Sequence, residues 1–223
     1  RADLTSPAPW PHADLVVDVT RRPYAVFFYD PRPSWMSTFV RRAVEGDPRF
    51  TVTSRVVTSR NISTDAGAPP ASLSDLAALS RYDVVAVGAP DLLSATDVAA
   101  LERLLRQRGA SVVLLLDQPA TGPFVRLAGA ERWDDNGGGA VAAITSVTND
   151  SLGLRGSEVA APLRLPAGAS VLARYTGAAR DTSLRTAIWQ VPVGAGRLVV
   201  SGALDAWRYR DPSLSPFDAY WRT

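Results

Sequence analysis

The chain has 223 residues, enough to bury the core of one large α/β domain, and its 24 basic residues, all arginine, nearly balance 22 acids for a net charge of +2. With neither cysteine nor lysine in the sequence, disulfides, thiolate nucleophiles, zinc–thiolate sites, Schiff bases and a lysine-bearing phosphate loop are all excluded. The single histidine, His12, rules out multi-histidine metal centres, and no apolar run approaches the roughly 18 to 20 residues that span a bilayer.

Residues 1–22, with "SPAPWPHADL" and "LVVDV", read as a linker or the end of a preceding module with an edge strand over 15–19. The chain starts at Arg1 without a methionine or a signal-peptide pattern, which reads as an excised piece whose targeting segments lie elsewhere. From residue 23 the pattern becomes regular, and 23–223 is taken as one domain. "YAVFFY" is a continuous apolar run of the kind buried on both faces of a parallel sheet. Trp35, Phe39 and Ala43, beside Met36, Val40 and Val44, repeat at helical spacing until Gly46-Asp47-Pro48 stops the helix, with Ser34 as its cap.

"FTVTSRVV" is a second strand, alternating and therefore nearer an edge. After a loop, "NISTDAGAPP", Ser72 caps a short helix carrying Leu73, Leu76 and Ala77. "YDVVAVGAP" and "SVVLLLD" are a third and a fourth strand, separated by a helix that starts at Ser94 or Thr96 and closes at Arg108 and Gly109. Three alternations of strand and helix predict a flavodoxin-like, doubly wound, mainly parallel sheet. The C-terminal half predicts an added β-rich segment: "GGGAVAAITSV", "ASVLARYTG" and "RTAIWQVPVGAGRLVVSGA" read as strands, "GAGR" as a tight hairpin turn, "DDNGGG" as a loop and "SPFDAYWR" as a closing helix.

Ligands of open α/β sheets bind beyond the carboxyl ends of the strands. Those predicted ends carry Asp30, Arg32, Asp91, Asp117, Gln118, Asp205, Trp207 and Arg208. Helix capping also explains Asp and Ser at strand-to-helix turns and is the favoured reading of these positions. No metal or cofactor is expected: the turn Asp30-Pro-Arg-Pro-Ser34 has the outline of a carboxylate–hydroxyl metal site, but Arg32 stands where an oxygen donor is needed. The pairs Arg21-Arg22 and Arg41-Arg42 form no longer basic run, so they read as solvated faces and not as a nucleic-acid surface.

"YDPRPSW" followed by "FVRRAVEGDPRF", then "YDVVAVGAP" and "GRLVVSGALDAWRYRD" with "FDAYWR", resembles the class I glutamine amidotransferase-like domain of membrane-anchored bacterial proteins of unassigned function. The resemblance implies that fold, an extracytoplasmic setting, and membrane contact only through segments outside this chain. In that family a cysteine sits in the turn after a central strand; here the turn is Asp117-Gln118-Pro119-Ala120 and has none. The resemblance therefore implies a pseudoenzyme, a non-catalytic module binding an unidentified protein or small molecule. It also makes the 30–35 turn a structural device, with Trp35 anchoring the helix. Arg208 and Arg210 are expected to pair with Asp30 or Asp117 while Trp207 covers the crevice. The alternative is a carboxylate-based hydrolase that uses strand-end aspartates such as Asp30 and Asp117.

Overall fold

The computed structural model describes residues 22–136, 140–176, 184–211 and 216–223. The expected edge strand at 15–19 and His12 lie outside these residues. In chain order the elements are β1 (Tyr24–Asp30), α1 (Trp35–Glu45), β2 (Phe50–Ser59), β3 (Ile62–Ala66), α2 (Leu76–Leu79), β4 (Val84–Gly88), α3 (Ala95–Arg108), β5 (Ser111–Leu115), α4 (Phe124–Ala128), β6 (Trp133–Asn136), β7 (Ala142–Ser146), β8 (Gly153–Gly156), β9 (Val159–Pro162), β10 (Ser170–Thr176), β11 (Leu184–Val193), β12 (Gly196–Ser201) and α5 (Pro216–Trp221).

Period-two alternation along β1 explains how its apolar run is used. Phe27 enters one core with Leu101, Leu104 and Leu105 of α3, while Val26 and Phe28 enter the other with Met36, Val40 and Val44 of α1. Two helix termini follow the chemistry of their sequences. Ser34 accepts from the Ser37 amide to start α1, and Ser94 forms a reciprocal capping box with Asp97 to start α3. Gly109 ends α3 in the left-handed conformation (φ 69°), where a side chain would be strained.

The sheet corrects the predicted architecture. Ten strands lie in the order β3-β2-β1-β4-β5-β12-β11-β10-β7-β8. Four pairings are parallel (β1 with β2, β1 with β4, β4 with β5, β5 with β12) and five are antiparallel. It is therefore a mixed sheet and not a flavodoxin-like, mainly parallel one. The β-rich C-terminal half is not an addition to a finished sheet: β12 enters beside β5, register Leu198 with Val112, and carries β11, β10, β7 and β8 behind it. The physical reason is that β5 leaves an open parallel edge, and β12, with Leu198 and Val200 fully buried, fills it.

Smaller expectations also change. Ile62–Ala66, inside the predicted loop, forms the edge strand β3 antiparallel to β2, with each of its residues exposed. Asp75, not Ser72, caps α2. Asp134, Asp135 and Asn136 of the expected "DDNGGG" loop belong to β6, which pairs with β9 in a separate two-stranded sheet, while its glycines lie outside the described residues. The "GAGR" hairpin turn joins β11 to β12, with Gly194 at φ 62°.

Candidate functional site

Because β1, β4, β5 and β12 run parallel, the segments that follow them emerge at one end of the sheet. Arg32, in the turn after β1, is the cation of this end. Its guanidinium donates to both carboxylate oxygens of Asp117, each at 2.8 Å, and reaches Asp91 at 3.3 Å. This fork on Asp117 is the geometry in which arginine binds a carboxylate most strongly. The three side chains are 26, 11 and 15% exposed, so the cluster is half-buried at the sheet end. Bonding to Asp117, followed by the charges of Asp117 and Asp91, holds the Arg32 guanidinium above its ordinary pKa against the opposing effect of burial.

Asp30 is different in kind. It is wholly buried, and neither carboxylate oxygen has a hydrogen-bond partner of good geometry. Its carboxyl lies against Gly88, where a Cβ would run into it, with the buried Ser37 hydroxyl 3.0 Å from the same point. Burial pushes its pKa up to about 6, while the nearby Ser37 hydroxyl, the Arg41 charge and the Gly88 amide pull the other way.

Asp205, 2% exposed, is fully engaged. It accepts from the Ser157 amide (3.0 Å), the Ser157 hydroxyl (2.7 Å) and the Glu158 amide (3.0 Å). Asp205 thereby fastens the end of β12 to the loop between β8 and β9. Gln118 is exposed beside Asp117.

The expected lock of Arg208 and Arg210 on Asp30 or Asp117 is not what forms. Arg208 pairs with Glu158 at 3.4 Å and lies 5.4 Å from the centre of the Trp207 ring, and Arg210 sits 4.3 Å above Phe39. The short 3-10 turn at Ala206–Tyr209 leaves Arg208 over its own Trp207 and Arg210 over Phe39 of α1, with neither on Asp30 or Asp117. Trp35 does not anchor the helix either: it is 61% exposed and stacks on Phe39 and Trp207. Helix α1 is instead held by Met36, Val40, Ala43 and Val44. Among the described residues no group of three or more histidine, cysteine, aspartate or glutamate side chains is placed to hold a metal ion.

No protein-family model matches the chain, and no curated protein sequence matches it. Solved structures do. An exo-β-1,4-mannosidase from Opitutaceae bacterium strain TAV5 matches with TM-score 0.56 and 13% identity over 90% of this chain and 35% of that one. A β-galactosidase from Rahnella sp. R3 matches with TM-score 0.54 and 15% identity over 84% of this chain and 30% of that one. A carbohydrate deacetylase matches with TM-score 0.51 and 14% identity over 81% and 29%. The chain thus spans about a third of each of these proteins and shares with them a fold.

These matches overturn the amidotransferase resemblance, since the similar structures are glycosidases and a carbohydrate deacetylase. The motifs that carried it have local explanations here: Ser34 caps α1, and Asp205 fastens the loop before β9. The membrane-anchored setting loses the resemblance it rested on; among the described residues no helix is long and apolar enough to cross a membrane. The expectation of a non-catalytic module is corrected to this extent: these solved structures that share the fold are all enzymes, of each of which this chain spans about a third.

Proposed function

We propose that this chain is a module of a carbohydrate-active hydrolase, and that its polar centre is the strand-end set of Asp30, Arg32, Asp91 and Asp117. The observation that carries the reading is the contrast between two carboxyl groups at one sheet end. Asp30 is buried and pushed up to about 6, while Asp117 is clamped by an arginine fork. A carboxyl group raised by burial suits the role of acid, and the arginine-held carboxylate at the same sheet end is the candidate partner base.

Strands β1 and β5 flank β4, so their ends stand two strand spacings apart, roughly 9 to 10 Å. That backbone spacing compares with a separation of about 6.5 to 9.5 Å between the two carboxyl groups when one carboxylic acid protonates a glycosidic oxygen while a carboxylate activates water on the opposite face. Asp30 would donate its proton to the leaving oxygen, and Asp117 would take the proton of the attacking water. Asp30 is sealed in the resting structure, so this chemistry requires the 31–33 turn to open and Arg32 to release one oxygen of Asp117.

The fold similarity to a mannosidase, a galactosidase and a carbohydrate deacetylase supports the substrate class. The test is hydrolysis of a panel of nitrophenyl β-mannosides, β-galactosides and acetylated sugars by the purified chain. Release that disappears in both Asp30→Asn and Asp117→Asn is expected; no release by the wild type, or release unchanged in both variants, overturns the reading.

A further inference from the structure

Three aromatic rings meet between the start of α1 and the Ala206–Tyr209 turn. Trp35 and Phe39 have centroids 5.9 Å apart at 21°, Trp35 and Trp207 5.7 Å at 24°, and Phe39 and Trp207 6.0 Å at 13°. Near-parallel rings at three nearly equal spacings cannot form a column, in which the outer pair would stand twice as far apart. They are offset, near-parallel plates packed against one another, with Phe39 and Trp207 partly buried. Trp35, the ring nearest the 30–34 turn in sequence, is 61% exposed, a large apolar area to leave in water.

Cations lie over two of these rings, Phe39 and Trp207. Arg210 lies 4.3 Å and Arg42 5.7 Å from the centre of the Phe39 ring, and Arg208 lies 5.4 Å from that of Trp207. Arg208 is compensated by Glu158. Arg42 and Arg210 have no carboxylate partner among the described residues. A ligand that fits must offer both a flat face of C–H bonds to the rings and an anionic group to the guanidiniums.

We propose that the Trp35–Phe39–Trp207 face binds an acidic saccharide, with a pyranose ring lying on Trp35 and its uronate carboxylate on Arg42 and Arg210. The saccharide half of this proposal rests on the carbohydrate reading above; the acidic half is carried by the two arginines. Single-stranded nucleic acid also combines stacking with phosphate contacts, but it needs a basic groove that tracks a backbone, and here the unpaired cations are two, gathered over one ring.

The test is isothermal titration of the purified full chain with tetragalacturonate, a neutral galactotetraose and an oligothymidylate. Tetragalacturonate is expected to bind more tightly than the neutral sugar. Trp35→Ala should weaken it about tenfold, the scale of one lost aromatic contact. Arg210→Gln should remove the preference for the acidic sugar while leaving neutral binding in place. The exposed position of Trp35 makes its variant fold-neutral, and Arg210→Gln supplies an independent reading should it prove otherwise.

Equal binding of the two sugars, tetragalacturonate binding untouched by both variants, or tighter binding of the oligothymidylate overturns the proposal. Hydrolysis of neutral glycosides without binding of tetragalacturonate overturns this inference and leaves the hydrolase reading standing. Loss of both hydrolysis and saccharide binding removes the two together.

Discussion

Replacing Asp30 by asparagine isolates a buried carboxyl neither of whose oxygens has a good hydrogen-bond partner among the described residues. Its pKa rises from 3.8 to about 6, about two units, and each unit corresponds to about 1.4 kcal/mol of difference between the protonation states. The native chain therefore holds this proton more tightly than the unfolded chain. The stability it contributes is complete below about pH 4 and is lost as pH rises toward 6; above that, the native state carries a buried charge at a disadvantage of about 3 kcal/mol. The amide has nearly the same shape and no charge, so Asp30→Asn should match the wild type at pH 4 and exceed it by about 2 to 3 kcal/mol at pH 7 and above. Urea unfolding of both proteins at intervals from pH 4 to 8 measures the gap, which should open between pH 4 and 6 and stay flat beyond. A variant no more stable than the wild type at pH 7, or a gap that does not change with pH, would refute the reasoning. The same variant should abolish hydrolysis, so stability gained at the cost of activity is the combined signature of a functional carboxyl.

Three further outcomes follow from the geometry. Arg32→Ala leaves Asp117 and Asp91 facing each other half-buried without their cation; between the values for exposed and for buried pairs, a loss of about 2 kcal/mol is expected, read as a fall in melting temperature of about 4 to 8 °C. Gly88→Ala puts a Cβ into the Asp30 carboxyl and within 2.6 Å of the Ser37 Cβ, and should destabilise by about 1 to 3 kcal/mol in urea unfolding, with Gly88→Ala/Asp30→Ala partly restored because the carboxyl is gone. Asp205→Ala strands the Ser157 and Glu158 donors and should cost about 3 kcal/mol or more, with enhanced proteolytic cleavage between β8 and β9 as a second measure.

The parallel strands were legible because burial on both faces writes itself as unbroken apolar runs, "YAVFFY" and "SVVLLLD" among them. Strand β3 was not, since "ISTDA" is exposed throughout and shows no apolar period. The four-residue strands β6, β8 and β9 exist through their pairings more than through their own sequences. The mixed character of the sheet was hidden for the same reason: local alternation of strand and helix does not say that β12 returns beside β5 and brings four antiparallel neighbours. Within the site, Asp30, Arg32, Asp91 and Asp117 could be grouped by the rule that parallel strands end together. The arginine that clamps Asp117 could not. Arg208 and Arg210 follow a strand-end aspartate in sequence just as Arg32 does, and only the Ala206–Tyr209 turn decides that they face aromatic rings.

The position of β12 also sets the order in which this chain can finish folding. Its partner β5 ends at Leu115, whereas Arg197 to Ser201 lie more than 80 positions later, so a contact at the centre of the sheet has the longest sequence separation of any strand pairing in it. Closure of so large a loop is slow relative to local hairpins and crossover helices. During synthesis β2, β1, β4 and β5 can assemble early, but they must wait with the apolar edge of β5 uncovered until nearly nine-tenths of the chain has emerged. Any truncation before Gly196 makes that wait permanent and turns β5 into an open template for strands of other chains.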